Sequence, residues 1–116
     1  IDVPAEFEQA KDVGFATMLS NLLENAFKAV CKIPDSKERK VSVRIEPKKE
    51  QLIIEIRNNY FGKLDISRET GLPVTDKVDG HGYGLVSVSN YARKSGALLK
   101  FRPEGQLLIV QYITNL

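Results

Sequence analysis

The chain has no tryptophan and only one cysteine, one methionine and one histidine. Cys31 lacks an internal disulfide partner, and with His81 as the sole histidine no Cys/His metal cluster can form. Such thiol poverty suits a reducing compartment, and Cys31 reads as a small buried apolar residue beside a helical stripe. No apolar run approaches the roughly 18–20 residues of a membrane span, and no signal peptide is visible. The expectation is a cytoplasmic domain without membrane contact of its own. Its first residue is Ile rather than Met, which fits one domain of a longer protein. Charge of one sign is also scarce, at a formal net of +2. The basic stretch KERKVSVRIEPKKE (37–50) is broken by Glu38, Glu46 and Glu50 and holds no aromatic residue. That describes a solvated face rather than a nucleic-acid surface.

What is present suits a single domain over 1–116: enough length for a core, with 42% hydrophobic and 28% charged residues. Residues 1–7 (IDVPAEF) read as extended, with Pro4 opposing helix. Phe15, Met18, Leu19, Leu22, Leu23, Ala26, Phe27 and Val30 recur at three- and four-residue steps, predicting a helix over about 9–32 that ends at Pro34-Asp35. Val41, Val43 and Ile45 alternate with polar residues, KKEQ turns the chain, and LIIEIRN (52–58) alternates again, which predicts an antiparallel hairpin. Residues 59–80 carry no sustained period, and a stretch that long inside a small domain usually forms a lid or binding loop. A second helix is expected over 84–95, closed by Gly96. A second hairpin follows, ALLKFR and QLLIVQYIT about a Pro103-Glu104-Gly105 turn. The expected fold is α+β, a two-layer α/β sandwich with a mainly antiparallel mixed sheet and helices on one face.

Two features could carry chemistry. Asn21, Asn25, Lys28 and Lys32 share one helix face, with Glu24 beside Asn25. Asparagine disfavours helix interiors, so two of them ask for a reason. An amide oxygen suits a hard cation such as Mg²⁺, and a lysine suits phosphate. A solvated face accounts for the same residues. The second feature is GHGYGL, with Gly80, Gly82 and Gly84 at alternate positions before Leu85. Alternating glycines let successive backbone N–H groups converge on an anion, and the following helix adds its positive N-terminus. The stretch is not GxxxxGK[ST], and no strand leads into it, so neither a P-loop nor a dinucleotide fingerprint is met.

Taken in order, NLLENAFKAV (21–30), a hairpin ending in a polar turn, a long loop and GHGYGL resemble the GHKL (Bergerat-fold) ATP-binding family over nearly the whole chain. The catalytic domain of bacterial sensor histidine kinases is the most similar, and the GKLD…GLPV…GHGYGL arrangement is closest to the peptide-sensing Gram-positive subgroup. The resemblance implies that Asn25 ligates Mg²⁺ on the ATP phosphates, that Asn21 lines the same site and that Lys28 contacts phosphate. It implies that Gly80, Gly82 and Gly84 let the lid fold over the triphosphate, with His81, Tyr83 and Leu85 beside it, and that adenine lies in an apolar pocket between helices and sheet beneath a lid over 63–79. His81, Tyr83 and Tyr60 are equally accounted for as loop or wall residues, and Lys63, Arg68 and Lys77 as solvating charges on the lid.

The family's first glycine box, DxGxG, corresponds here to Asn58, Asn59, Tyr60, Phe61 and Gly62, so an amide replaces the aspartate that accepts a hydrogen bond from adenine. Members that hydrolyse ATP carry Glu where this chain has Asn21, which favours a kinase and leaves Glu24 as a candidate base or orienting group. The implied activity is transfer of the γ-phosphoryl of Mg-ATP to a histidine on a separate dimerisation domain, and through it to a response regulator. A GHKL protein-serine kinase or ATPase, and a degenerate nucleotide-binding regulatory domain, are the alternatives.

Overall fold

The computed structural model describes residues 13–73 and 82–115. Helix α1 runs Val13–Cys31, and helix α2 runs Gly82–Ser95. The strands are β1 (Val41–Lys48), β2 (Gln51–Asn59), β3 (Leu98–Glu104) and β4 (Leu107–Asn115). They form one sheet in the order β1-β2-β4-β3, and every pairing among them is antiparallel. Both helices cover one face, giving the expected two-layer α+β sandwich. The predicted starts of α1 at 9 and of the extended segment over 1–7 lie outside the described residues.

Strand alternation sorts the sheet into two unlike faces. Ile54, Ile56, Val110 and Tyr112 face the helices and meet Phe15, Met18, Leu22, Leu85 and Val88 in one core. Phe15 packs edge-on against Tyr112, ring centroids 6.3 Å apart at 64°. On the uncovered face Ile109 is still buried, between its register partners Arg57 and Arg102, whose long stems can cover it. Beside it Glu55 is only 8% exposed. It accepts hydrogen bonds from Arg57 Nε (3.1 Å) and Gln111 Nε2 (3.1 Å). Burial alone would raise its pKa; those two bonds and the charges of Arg57 and Arg44 outweigh it and hold the carboxyl below its ordinary 4.5. A carboxyl depressed in the folded state stabilises above its unfolded pKa, and the contribution is lost as pH falls through the lower folded value. The stability gap between wild type and Glu55→Gln, read from urea melts, should therefore narrow from pH 6 downward and close in acid.

Arg39 organises the far end of α1. Ile33 and Lys32 tighten the last turn through Ile33 N–H to Val30 O and Lys32 N–H to Ala29 O, and Pro34 stops it. Past the 3-10 turn Ser36–Glu38, Arg39 returns to the helix end and donates Nε and Nη2 to Ile33 O at 3.0 and 2.9 Å, and Nη2 to Cys31 O at 3.3 Å. A cation on the last carbonyls satisfies their lone pairs and the negative end of the helix dipole. Arg39→Ala is expected to lower unfolding stability by about 1–2 kcal/mol, with Arg39→Lys recovering only part, since an ammonium cannot fork across two carbonyls.

Four expectations are corrected. Phe27 is 53% exposed rather than core, because it falls on the flank of α1 turned from the sheet. Cys31 is exposed rather than buried, one turn further along that flank. Helix α2 begins at Gly82, two residues before the predicted start. In the second hairpin Pro103 and Glu104 belong to β3, and the turn is Gly105-Gln106. Proline is tolerated there because β3 is an edge strand. The Gly96 cap is as expected: its φ is +73°, its N–H reaches Arg93 O, and Ala97 N–H reaches Ala92 O.

Candidate functional site

Asn58 is the last helix-facing side chain of β2, in the row of Val41 and Leu108. It is 1% exposed. Its Nδ2 donates to Asn59 O at 3.0 Å, whereas its Oδ1 has no partner. Among the described residues that oxygen is the one buried side-chain polar atom left unsatisfied. An unpaired buried acceptor costs about 1–3 kcal/mol, so its persistence asks for a donor from beyond the described residues. Nδ2 has one of its two donors engaged, while Oδ1 has no donor at all.

The residues after Asn58 are tied down on two sides. Asn59 donates its N–H to Lys40 O at 3.3 Å, accepts Lys40 N–H on Oδ1 at 2.9 Å and donates Nδ2 to Glu38 O. Tyr60 donates its N–H to Gln106 O at 3.1 Å and its hydroxyl to Gly105 O at 2.6 Å. Sequence reasoning gave Tyr60 no such role, and nothing in its local pattern points to a partner 45 positions on. Gly62 follows at φ +84°, exposed and open around its Cα.

The stretch expected to lack structure is ordered where it is described. Ile66 bridges Pro73, Ser67 N–H bonds Leu72 O at 2.9 Å, and Gly71 N–H bonds Ser67 O at 2.8 Å. The Ser67 hydroxyl accepts Glu69 and Thr70 N–H, and Thr70 Oγ1 accepts Leu72 N–H. Leu72 is buried in the core, with Leu64 and Ile66 packed against it. Residues 66–73 are therefore a self-bonded, anchored hairpin, and the S-x-x-T-G spacing of Ser67, Thr70 and Gly71 was its unused signal. Lys63 and Arg68 are exposed; the rest of the expected lid, with Lys77, lies outside the described residues.

On α1, Asn21 and Asn25 are half-buried. Glu24 and Lys28 are more exposed and pair with each other at 2.7 Å. They border an open groove along the flank that carries Leu19, Leu23 and Phe27, and neither asparagine lines it. Gly82, Tyr83 and Gly84 form the first turn of α2, which carries no acidic residue to offset the helix dipole. Leu85 is a core residue at 2% exposure. Gly80 and His81 lie outside the described residues. Among the described residues no three His, Cys, Asp or Glu side chains gather as a metal cluster. No described helix is long and apolar enough to cross a membrane.

The family model for the GHKL domain matches residues 11–114. The chain belongs to the GHKL family. Comparison with curated proteins finds no match. ATP binding is the activity common to GHKL domains, and the family includes both kinases and ATPases.

Proposed function

We propose that this GHKL domain binds Mg-ATP and passes the γ-phosphoryl to a histidine on a separate helical domain of a sensor kinase. The observation that carries the nucleotide reading is the unpaired Asn58 Oδ1. A buried acceptor with no donor of its own fits the 6-amino group of adenine, whereas a 6-oxo purine would set a second acceptor against it. Asn58 thus takes the role the family gives to aspartate, without a charge. Asn21 and Asn25, one turn apart on α1, would line the phosphate end, and Lys28 has the reach to meet phosphate there. The first turn of α2 offers backbone N–H groups to the same anion.

The residues fit a magnesium ion of the kind held mainly by substrate phosphates. Asn25 would supply an amide oxygen, and such sites need no dedicated carboxylate cage. Bound there, the ion would neutralise charge on the β- and γ-phosphates. The chain's own part is positioning. An imidazole is nucleophilic without a base, so orienting the triphosphate can suffice. In the transfer the γ-phosphorus to β-oxygen bond breaks, ADP leaves with the electron pair, and a phosphorus–nitrogen bond forms as the ring gives up its proton. Asn21, in place of the glutamate of ATP-hydrolysing relatives, supports transfer over hydrolysis.

Incubation with γ-labelled ATP and a dimerisation domain from the parent kinase tests this reading. Label on histidine, stable to base and labile to acid, is expected. Label on serine, or steady release of phosphate without an acceptor, would replace it with the serine-kinase or ATPase reading. No calorimetric heat with Mg-ATP would leave a regulatory domain.

A further inference from the structure

We propose that Glu24 is a counter-ion that holds Lys28 away from the nucleotide phosphates, so that it weakens ATP binding rather than assisting catalysis. The proposal rests on the Mg-ATP reading of the site. Three observations lead to it. Glu24 Oε1 lies 2.7 Å from Lys28 Nζ, an i, i+4 pair in the Glu-before-Lys order that helices favour. The two side chains stand together at the rim of the outer groove of α1, which neither Asn21 nor Asn25 lines. By helical geometry Glu24 sits about 100° round from Asn25, with Lys28 between them at about 60° from Asn25. Lys28 is therefore within reach of either side, and the carboxylate draws it to the side away from the asparagines.

A group poised as a general base would sit with the asparagines and keep its carboxylate open to a nucleophile. Glu24 does neither: it is more than half exposed, and its carboxylate is engaged by the lysine. When a triphosphate arrives, its several negative charges compete with the single carboxylate for the ammonium. Breaking the existing pair is then part of binding. Simple repulsion between the carboxylate and the phosphates is the rival with the same sign, and a double-mutant cycle separates the two.

The experiment is calorimetric titration of Mg-ATP into wild type, Glu24→Gln, Lys28→Met and the double variant, at low salt and again at high salt. Glu24→Gln should bind about two- to fivefold tighter at low salt, the scale of an exposed ion pair, with the gain shrinking as salt screens it. Lys28→Met should bind more weakly, and in its background Glu24→Gln should give no gain. A Glu24→Gln variant that binds no tighter than wild type overturns the proposal. So does a gain that persists without Lys28, which would mean simple repulsion by the carboxylate. A wild type that binds no Mg-ATP overturns the site reading and this proposal together, whereas the first two results leave the site reading standing.

Discussion

Replacing Asn58 by leucine is expected to cost the domain its adenine nucleotide while leaving the fold as stable as before, or more so. The two side chains are of similar volume, and the position is closed to solvent. Leucine removes an acceptor whose burial without a partner costs about 1–3 kcal/mol, and gives up one hydrogen bond to Asn59 O worth about 0.5–1.5 kcal/mol. Unfolding stability should therefore stay level or rise by up to about 2 kcal/mol. Mg-ATP affinity should fall by about 10- to 100-fold, since the adenine amino group would be buried against a methyl. Wild type should prefer ATP to ITP, whose 6-oxo group meets Oδ1 as acceptor against acceptor, and the variant should bind both equally weakly. Paired thermal melts and calorimetry check the result. Loss of fold together with binding, or undiminished binding, would remove Asn58 from the base-recognition role.

Asn25→Ala should separate the phosphate end from the base end. Alanine is a better helix former than asparagine, so α1 should not weaken. The expected loss lies in the metal-dependent part of binding. Wild type should bind ATP more tightly with Mg²⁺ than in EDTA, and the variant should show nearly the same affinity in both. Phosphoryl transfer should fall by about 100-fold or more, the scale of removing one group that orients or neutralises the transferring phosphate. Asn25→Asp, which keeps an oxygen ligand, should restore the magnesium effect. An Asn25→Ala variant whose magnesium dependence matches wild type would place the cation elsewhere.

Much of the fold was legible because one face of each element is buried. The apolar stripe of α1 and the alternation of β1, β2 and β4 are periodic enough to reveal type and approximate bounds. What periodicity misread were residues at the margin of a stripe. Phe27 and Cys31 are apolar, but α1 turns that flank from the sheet, and a sequence does not say how wide a helix's covered sector will be. The candidate site was legible as residue types and less so as relationships. Asn58 stood out as a substitution in a motif, yet its unpaired oxygen follows from where Nδ2 points, a three-dimensional matter. Glu24 and Lys28 were read as separate contributors although their i, i+4 spacing already announced a pair. The hairpin over 66–73 escaped because it is held by short-range backbone bonds and by side chain to backbone bonds, which leave no hydrophobic period.

The tether from Tyr60 to Gly105 has a practical side. A surface hairpin turn is ordinarily a good place to splice in an epitope or a fluorophore. Gly105-Gln106 looks like such a place from outside, but two bonds run from it straight to the neighbour of Asn59. Cargo inserted there would pull on residues 58–60, where base recognition is proposed. The Lys49-Glu50 turn lies at the opposite end of β2 and carries no such tie to residues 58–60, so it is the handle for anyone who wants to label this domain and still watch it bind.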